Sequence, residues 1–286
     1  MAMREDFCAF ILTHGRPDRV HTFTTLQRAG YTGKVYIVID DEDKTADEYR
    51  ARYGDKVLQF SKEAISKTFD EGDNFEDRRT ITYARNVCWE LARQVGVRYF
   101  IQLDDDYTHF NSRFRSDGAT CTAMIRKTFD RFMTALLTFY ESTAALSVAM
   151  SQGGDFIGGG TQDKRKLTRK CMNTFICSVD RPFQFRGRFN EDVNTYVTMG
   201  RQGHLFLTVM QAFVNQAVTQ SSEGGITELY KKFGTYVKAS TTVCHSPSCV
   251  KVGAMGDPRS PHYRIHHKIN WHHCAPKILR EEWKKE

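Results

Sequence analysis

The stretch Tyr99-Phe100-Ile101-Gln102-Leu103-Asp104-Asp105-Asp106 decides how this chain folds. A short, mostly apolar run that ends at once in three carboxylates reads as a buried strand delivering acids to a loop. Just before it, residues 80–95 carry Ala84, Val87, Cys88, Leu91 and Ala92 along one side of a helix. The same pattern occurs upstream. Phe7-Cys8-Ala9-Phe10-Ile11-Leu12 is a buried strand that stops at Thr13-His14-Gly15-Arg16-Pro17. Residues 20–29 have helical spacing, and Lys34-Val35-Tyr36-Ile37-Val38-Ile39 is a second strand running into Asp40-Asp41-Glu42-Asp43. Val57–Phe60 is a third, short strand. Strands that alternate with helices predict an α/β fold, a Rossmann-like and mainly parallel sheet flanked by helices. Ligands in such sheets sit at the carboxyl ends of strands, where both acidic clusters fall.

Farther along, residues 125–140 predict an amphipathic helix, and residues 146–150 and 174–179 predict strands. Between those strands lie a glycine-rich segment, with Gly153, Gly154, Gly158, Gly159 and Gly160, and a basic one, residues 163–170. The last third is rich in polar turns, histidines and basic residues. No repeat or linker interrupts the chain, so residues 1–286 are read as one domain. Residues 1–110 form its first half, and residues 111–286 form the second half with a C-terminal extension.

The 286 residues are 40% hydrophobic and 26% charged, which fits a globular protein and excludes a disordered one. No apolar run approaches the roughly 18–20 residues of a membrane span. The polar N-terminus lacks a signal-peptide core, so a cytoplasmic protein without a membrane partner is expected. The eight cysteines are scattered, several of them in apolar stretches, and read as reduced thiols. A net charge of +7 suits a polyanionic partner, although a basic protein without one has the same composition.

Adjacent carboxylates at a strand end suit a hard divalent cation, Mn²⁺ or Mg²⁺, completed by phosphate oxygens. Asp104 and Asp106 form the DxD spacing for that task, with Asp105 available to orient ribose or a neighbouring group. Taken alone, three aspartates are more often a solvated turn than a site. Their place after an apolar strand favours the site. Glu191-Asp192, following Phe189-Asn190, stands at the start of a helical stretch, where acids also serve as ordinary caps. Lys164, Arg165, Lys166, Arg169 and Lys170 are candidate phosphate contacts. Arg186 and Arg188, with Phe183, Phe185 and Phe189, add surfaces on which a base could stack. The bland reading of both is a solvated loop beside core phenylalanines. A zinc site from Cys244, His245, Cys249, His272, His273 and Cys274 is a further alternative, with looser spacing than zinc ribbons show.

The strand order and the motifs Leu12-Thr13-His14-Gly15-Arg16, Tyr83-Ala84-Arg85-Asn86, Asp104-Asp105-Asp106, Asn190-Glu191-Asp192 and Arg264-Ile265-His266-His267-Lys268 carry a resemblance. The chain resembles GT-A glycosyltransferases, and among them the phage glycosyltransferases associated with TET/J-binding-protein-type dioxygenases, kin to the base J glucosyltransferase. The resemblance implies sugar transfer from a UDP-sugar to a hydroxyl on a modified pyrimidine in DNA, such as 5-hydroxymethylcytosine. It implies donor contacts from Thr13, His14, Gly15, Arg16, Asp40, Asp41, Arg85, Asn86, Asp104 and Asp105. Asp104, Asp106 and, near the C-terminus, His267 would hold the metal. Asp192, with Glu191 second, would take the proton from the acceptor hydroxyl. The host cytoplasm is then the expected location. A glycosyltransferase acting on a glycan or protein, a non-catalytic nucleic-acid-binding module and a nucleotidyltransferase remain open beside it.

Overall fold

In a computed structural model, the described residues are 2–73, 75, 78–116, 119–152, 170–216, 226–259 and 263–274. Strand β1 (Phe7–Leu12) is buried at all six positions because it lies between two parallel neighbours, β2 (Lys34–Asp40) and β4 (Tyr99–Asp104). The parallel edge is completed by β3 (Val57–Phe60). Along β1, Ala9 and Ile11 face one core while Cys8, Phe10 and Leu12 face the other, as strand geometry demands. Both faces are apolar, so these strands read as continuous hydrophobic runs.

The first core is closed by α1 (His21–Ala29) and α5 (Phe129–Glu141), and the second by α4 (Thr82–Gln94) and α6 (Glu191–Arg201). Two short helices, α2 (Ala46–Tyr53) and α3 (Lys62–Ser66), flank the connection into and out of β3. Beyond β4 the sheet continues through β5 (Tyr107–Ser116), β6 (Ala119–Met124), β7 (Ser147–Gln152), β8 (Phe175–Ser178) and β9 (Phe206–Gln216). The nine strands run in the order β3-β2-β1-β4-β8-β7-β9-β5-β6. Pairing is parallel through β4. Beyond it, only the β7–β9 pair is parallel and the rest are antiparallel, so the whole sheet is mixed.

The C-terminal third, read from sequence as polar turns, contains a long helix, α7 (Thr227–His245), broken at Gly234 by a left-handed φ of 74°. A hairpin of β10 (Val250–Met255) and β11 (Arg264–Ile269) and a last turn, α8 (Trp271–Cys274), follow. These elements pack on α6: Trp271 stacks on Tyr196 with ring centroids 5.7 Å apart, and Thr198 shares a hydrogen bond with Ser246. The helix expected from residue 125 starts only at Phe129. Ile125 is still extended, its N–H donating to the Phe110 carbonyl at 2.8 Å, and Lys127 is left-handed, with φ 55°. Among the described residues no helix is long and apolar enough to cross a membrane.

Candidate active site

The acids at the end of β4 meet the acids at the start of α6 through one arginine. Arg85, on α4, is 1% exposed. Its Nη2 donates to Asp104 Oδ1 at 2.9 Å, and its Nε donates to Glu191 Oε1 at 3.0 Å. The guanidinium lies over the rings of Phe175 and Phe185, at 4.8 and 5.7 Å, and Gln102 Nε2 donates to the Arg85 carbonyl. A charged group this deep in the protein persists only when it is paired. Two of its nitrogens are; the third, Nη1, is buried without a hydrogen-bond partner.

One cation does not balance the carboxylates around it. Burial pushes Asp104 up to about 7, against the pull of Arg85, and Asp106, Glu191 and Asp105 add to the rise. Burial, then Asp105, pushes Asp106 up to about 6. Asp106 makes no ion pair within 4.0 Å among the described residues. Asp105 is raised by burial but is better served: its Oδ2 accepts from Thr13 Oγ1 at 2.6 Å and lies 3.1 Å from Arg16 Nη2. On the other side of Arg85, burial and then Glu191 push Asp192 up to about 6, although the Val193 N–H donates to its carboxylate at 2.7 Å. Buried like charges that hold one another up are the setting in which an added cation binds well.

Asp104 and Asp106 therefore fit a hard cation of the kind held by one or two carboxylates and completed by phosphate oxygens. They do not fit an all-protein cage. Among the described residues no group of three or more His, Cys, Asp and Glu side chains is arranged to hold a metal. This corrects two expectations. His267 does not join Asp104 and Asp106. It sits on β11 beside His266, with Nδ1 3.4 Å from Asn190 Nδ2, and burial, His266 and Lys238 push it down to about 3. The cysteines and histidines weighed for zinc do not converge either; Cys249 and Cys274 are packed in the core.

The loop after β1 is built on the neighbouring strand ends. Gly15 adopts φ 69°, a turn that favours glycine, and its N–H donates to Asp43 Oδ2 at 2.8 Å. His14 Nδ1 is 2.7 Å from Asp40 Oδ2, and that bond raises the imidazole above its ordinary value. Arg16 presents its N–H to the Tyr49 hydroxyl and its guanidinium to Asp105. Asp40 also lies 3.3 Å from Lys62 Nζ, and Asp41 accepts the Lys62 N–H at 2.9 Å. Thr13, His14, Gly15, Arg16, Asp40 and Asp105 are thus one hydrogen-bonded surface, tied to Asp104 and Asp106 through the chain.

Other expected site residues have different duties. The Asn86 amide is spent on both backbone groups of Phe185, at 2.8 and 3.1 Å, and so fastens α4 to the loop before α6. Arg188 is not a phosphate contact: it is 1% exposed, and its Nε donates to Asp73 at 2.8 Å. Phe183, Phe185 and Phe189 are buried and offer no stacking face to a base. Arg186 is exposed, as the DNA reading requires. Lys170 is half-buried beside β9, its carbonyl accepting from Thr208. Lys164, Arg165, Lys166, Arg169 and the glycines at 153–160 lie outside the described residues.

Several residues that shape the site were given no role by the sequence. Tyr49 ties Thr13 to Arg16, Lys62 is buried against Asp40, and Asn190 takes a left-handed φ of 53° to start α6. The Asn190 amide donates to the Lys238 carbonyl at 2.7 Å and to Thr242 at 2.9 Å, which fixes α7 over the acid pair. Tyr49 and Lys62 stand in no motif, and Asn190 stands in one, Asn190-Glu191-Asp192, that gives no hint of its left-handed backbone or of its bonds to α7; only folding brings them together.

A Rossmann-like α/β sheet thus gathers carboxylates at its strand ends, where ligands of such sheets bind. The family model of the TET-Associated Glycosyltransferase matches residues 7–225. The chain belongs to this family and is a glycosyltransferase. No curated protein matches its sequence. Among solved structures it is similar to a protein assigned as a UDP-N-acetylglucosamine pyrophosphorylase from Entamoeba histolytica. Identity is 8%, with 93% of this chain and 69% of that one covered and a TM-score of 0.28. So loose a likeness carries nothing about activity.

Proposed function

We propose that the chain moves a sugar from a UDP-sugar to the hydroxyl of a modified pyrimidine, such as 5-hydroxymethylcytosine, in phage DNA within the host cytoplasm. The observation that supports it is the Arg85 bridge, which puts a donor-side carboxylate at 2.9 Å and an acceptor-side carboxylate at 3.0 Å from one guanidinium. Asp104 and Asp106 would hold Mn²⁺ or Mg²⁺, whose charge would stabilise the departing diphosphate. Arg16 is 34% exposed at its side chain and keeps donors free for phosphate oxygens beyond its contact with Asp105.

Asp192 is the better base of the acid pair. Glu191 is held by Arg85, whereas Asp192, near 6, is ionised at neutral pH and still basic enough to accept a proton. The acceptor hydroxyl gives its proton to Asp192 as its oxygen bonds to the anomeric carbon. The bond from that carbon to the diphosphate breaks, and UDP leaves. Direct attack of this kind inverts the anomeric centre. A base inside a duplex would have to leave the stack to reach these groups.

The test is UDP release with Mn²⁺ or Mg²⁺ across a panel of UDP-sugars, with 5-hydroxymethylcytosine DNA, plain DNA or no acceptor. Release that needs the modified DNA and disappears in Asp106→Ala is expected. Equal release with and without DNA would move the acceptor to a glycan or protein, and no release with any donor would overturn the reading.

A further inference from the structure

A cavity of about 360 Å³ opens between α1 and the β5–β6 hairpin, on the face of the sheet opposite the helices that bring Arg85 and Glu191. Its floor is apolar, with Phe110 and Ile125 both buried. Its rim is cationic. Arg28, Arg126 and Lys127 stand there exposed, with His109 half-buried beside them. Among the described residues no acidic side chain lines it. Arg126 and Lys127 make no ion pair among the described residues. Among the described residues Arg28 Nη2 reaches only the Thr25 hydroxyl, at 3.1 Å.

The rim is built, not a loose tail. Lys127 holds a left-handed φ of 55°, a conformation that few non-glycine residues adopt. It does so against Gly30, where a Cβ would come within 2.4 Å of the Lys127 Cα. The buried Asp130 carboxylate then takes the Thr32 N–H at 3.0 Å and its hydroxyl at 2.6 Å, which locks the turn after α1 to the start of α5. From the floor, Thr25 Oγ1 donates to the Tyr107 carbonyl at 2.9 Å, and Thr22 Oγ1 donates to the Asp104 carbonyl at 2.6 Å. One helical turn therefore connects this cavity to the acidic loop.

Three cations without acids, set on an apolar floor large enough for a nucleotide, match a phosphodiester strand better than any neutral ligand. We propose that this cavity is a second DNA contact, an anchor that grips backbone phosphates of the acceptor strand away from the reacting base. The assignment of the strand as acceptor rests on the DNA reading above. The anchor itself is sequence-blind, because phosphate contacts position a duplex without reading its bases.

The experiment measures binding of the full chain to an unmodified oligonucleotide by fluorescence anisotropy across a salt series. The double variant Arg126→Gln, Lys127→Asn removes two charges, and asparagine suits the left-handed backbone at 127. A control, Lys56→Gln with Arg93→Gln, removes the same charge elsewhere. The anchor predicts roughly tenfold weaker binding in the rim variant and a salt slope shallower by about 2, one for each lost phosphate contact. Thermal stability of the rim variant and DNA affinity of the control variant should both stay as in the wild type. Equal weakening in the two variants would reduce the effect to net charge and overturn the anchor. So would wild-type DNA binding that the rim variant leaves unchanged. Wild-type protein that binds no DNA would overturn both the anchor and the DNA acceptor. A rim variant that binds DNA as predicted, in a protein inactive on every modified DNA, would keep the anchor and sink the acceptor assignment.

Discussion

Two acidic clusters end the two strands that flank β1 in one sheet, and they are opposites. After β2, each buried aspartate has its donors. Asp40 faces His14 and Lys62, and Asp43 accepts from the Gly15 N–H and from the Thr45 N–H and hydroxyl. Despite burial, Asp40 stays below the usual carboxylate range because His14 and Lys62 hold it there. After β4, Asp104 and Asp106 are pushed up to about 7 and about 6. The first cluster is charge-balanced and acts as scaffolding. The second is short of positive charge, and a protein that leaves carboxylates so crowded leaves room for a cation to bind.

The sharpest way to break this contrast is to remove one member of each cluster. Asp106→Ala should lower kcat/KM for sugar transfer by about a thousandfold with little change in Tm, as expected when several kcal/mol of charge stabilisation is lost. Next in size is the bridge. Arg85→Met should destabilise the fold by about 3–5 kcal/mol, because it strands the carboxylates of Asp104 and Glu191 in the interior. Chemical denaturation would show it, and a stable Arg85→Met would mean that the bridge does not bear on folding. Smaller again, Asp43→Ala should cost about 2 kcal/mol, as its three donors lose a charged acceptor.

Stability against pH should separate the clusters by sign. Asp104 and Asp106 bind protons more tightly folded than unfolded, so their contribution is present below about pH 4 and is lost as pH rises toward about 7. Asp40, lowered, contributes the other way: its stability is present above the unfolded value and is lost as pH falls through the folded one. Mn²⁺ with UDP should therefore raise Tm more at pH 7.5 than at pH 5. A larger gain at pH 5 would contradict the crowding of the second cluster. The smallest effect belongs to His14, whose raised value gives stability that is full below its unfolded pKa and is lost as pH climbs through the folded one. His14→Gln should flatten that limb of the Tm profile near neutral pH by a slight amount, since the ring is 47% exposed at its side chain.

The parallel half of the sheet was legible because burial on both faces writes strands as apolar runs. β1, β2, β3 and β4 were read within a residue, and so was the place of both acidic clusters. The antiparallel half hid itself. β5, Tyr107-Thr108-His109-Phe110-Asn111-Ser112-Arg113-Phe114-Arg115-Ser116, keeps Phe110 in the core but Phe114 in solvent, and no apolar run announces it. Lys127 ended one helix expectation by turning left-handed, and α7 is broken at Gly234, which interrupts its helical spacing. Within the site, carboxylates were legible as neighbours in sequence, whereas their partners were not. Arg85 was read as a donor contact, but its buried position between two carboxylates from distant segments depends on tertiary packing alone.

That position has a mechanical consequence. Many enzymes that hold two substrates open and close by rotating one half of the chain against the other. Here the end of β4 and the start of α6 are stitched together, because one buried side chain rooted in α4 holds both. Swinging those two apart would break two ionic hydrogen bonds to a guanidinium that is 1% exposed. The stitch therefore favours opening and closing in segments outside it, with the end of β4 and the start of α6 held together.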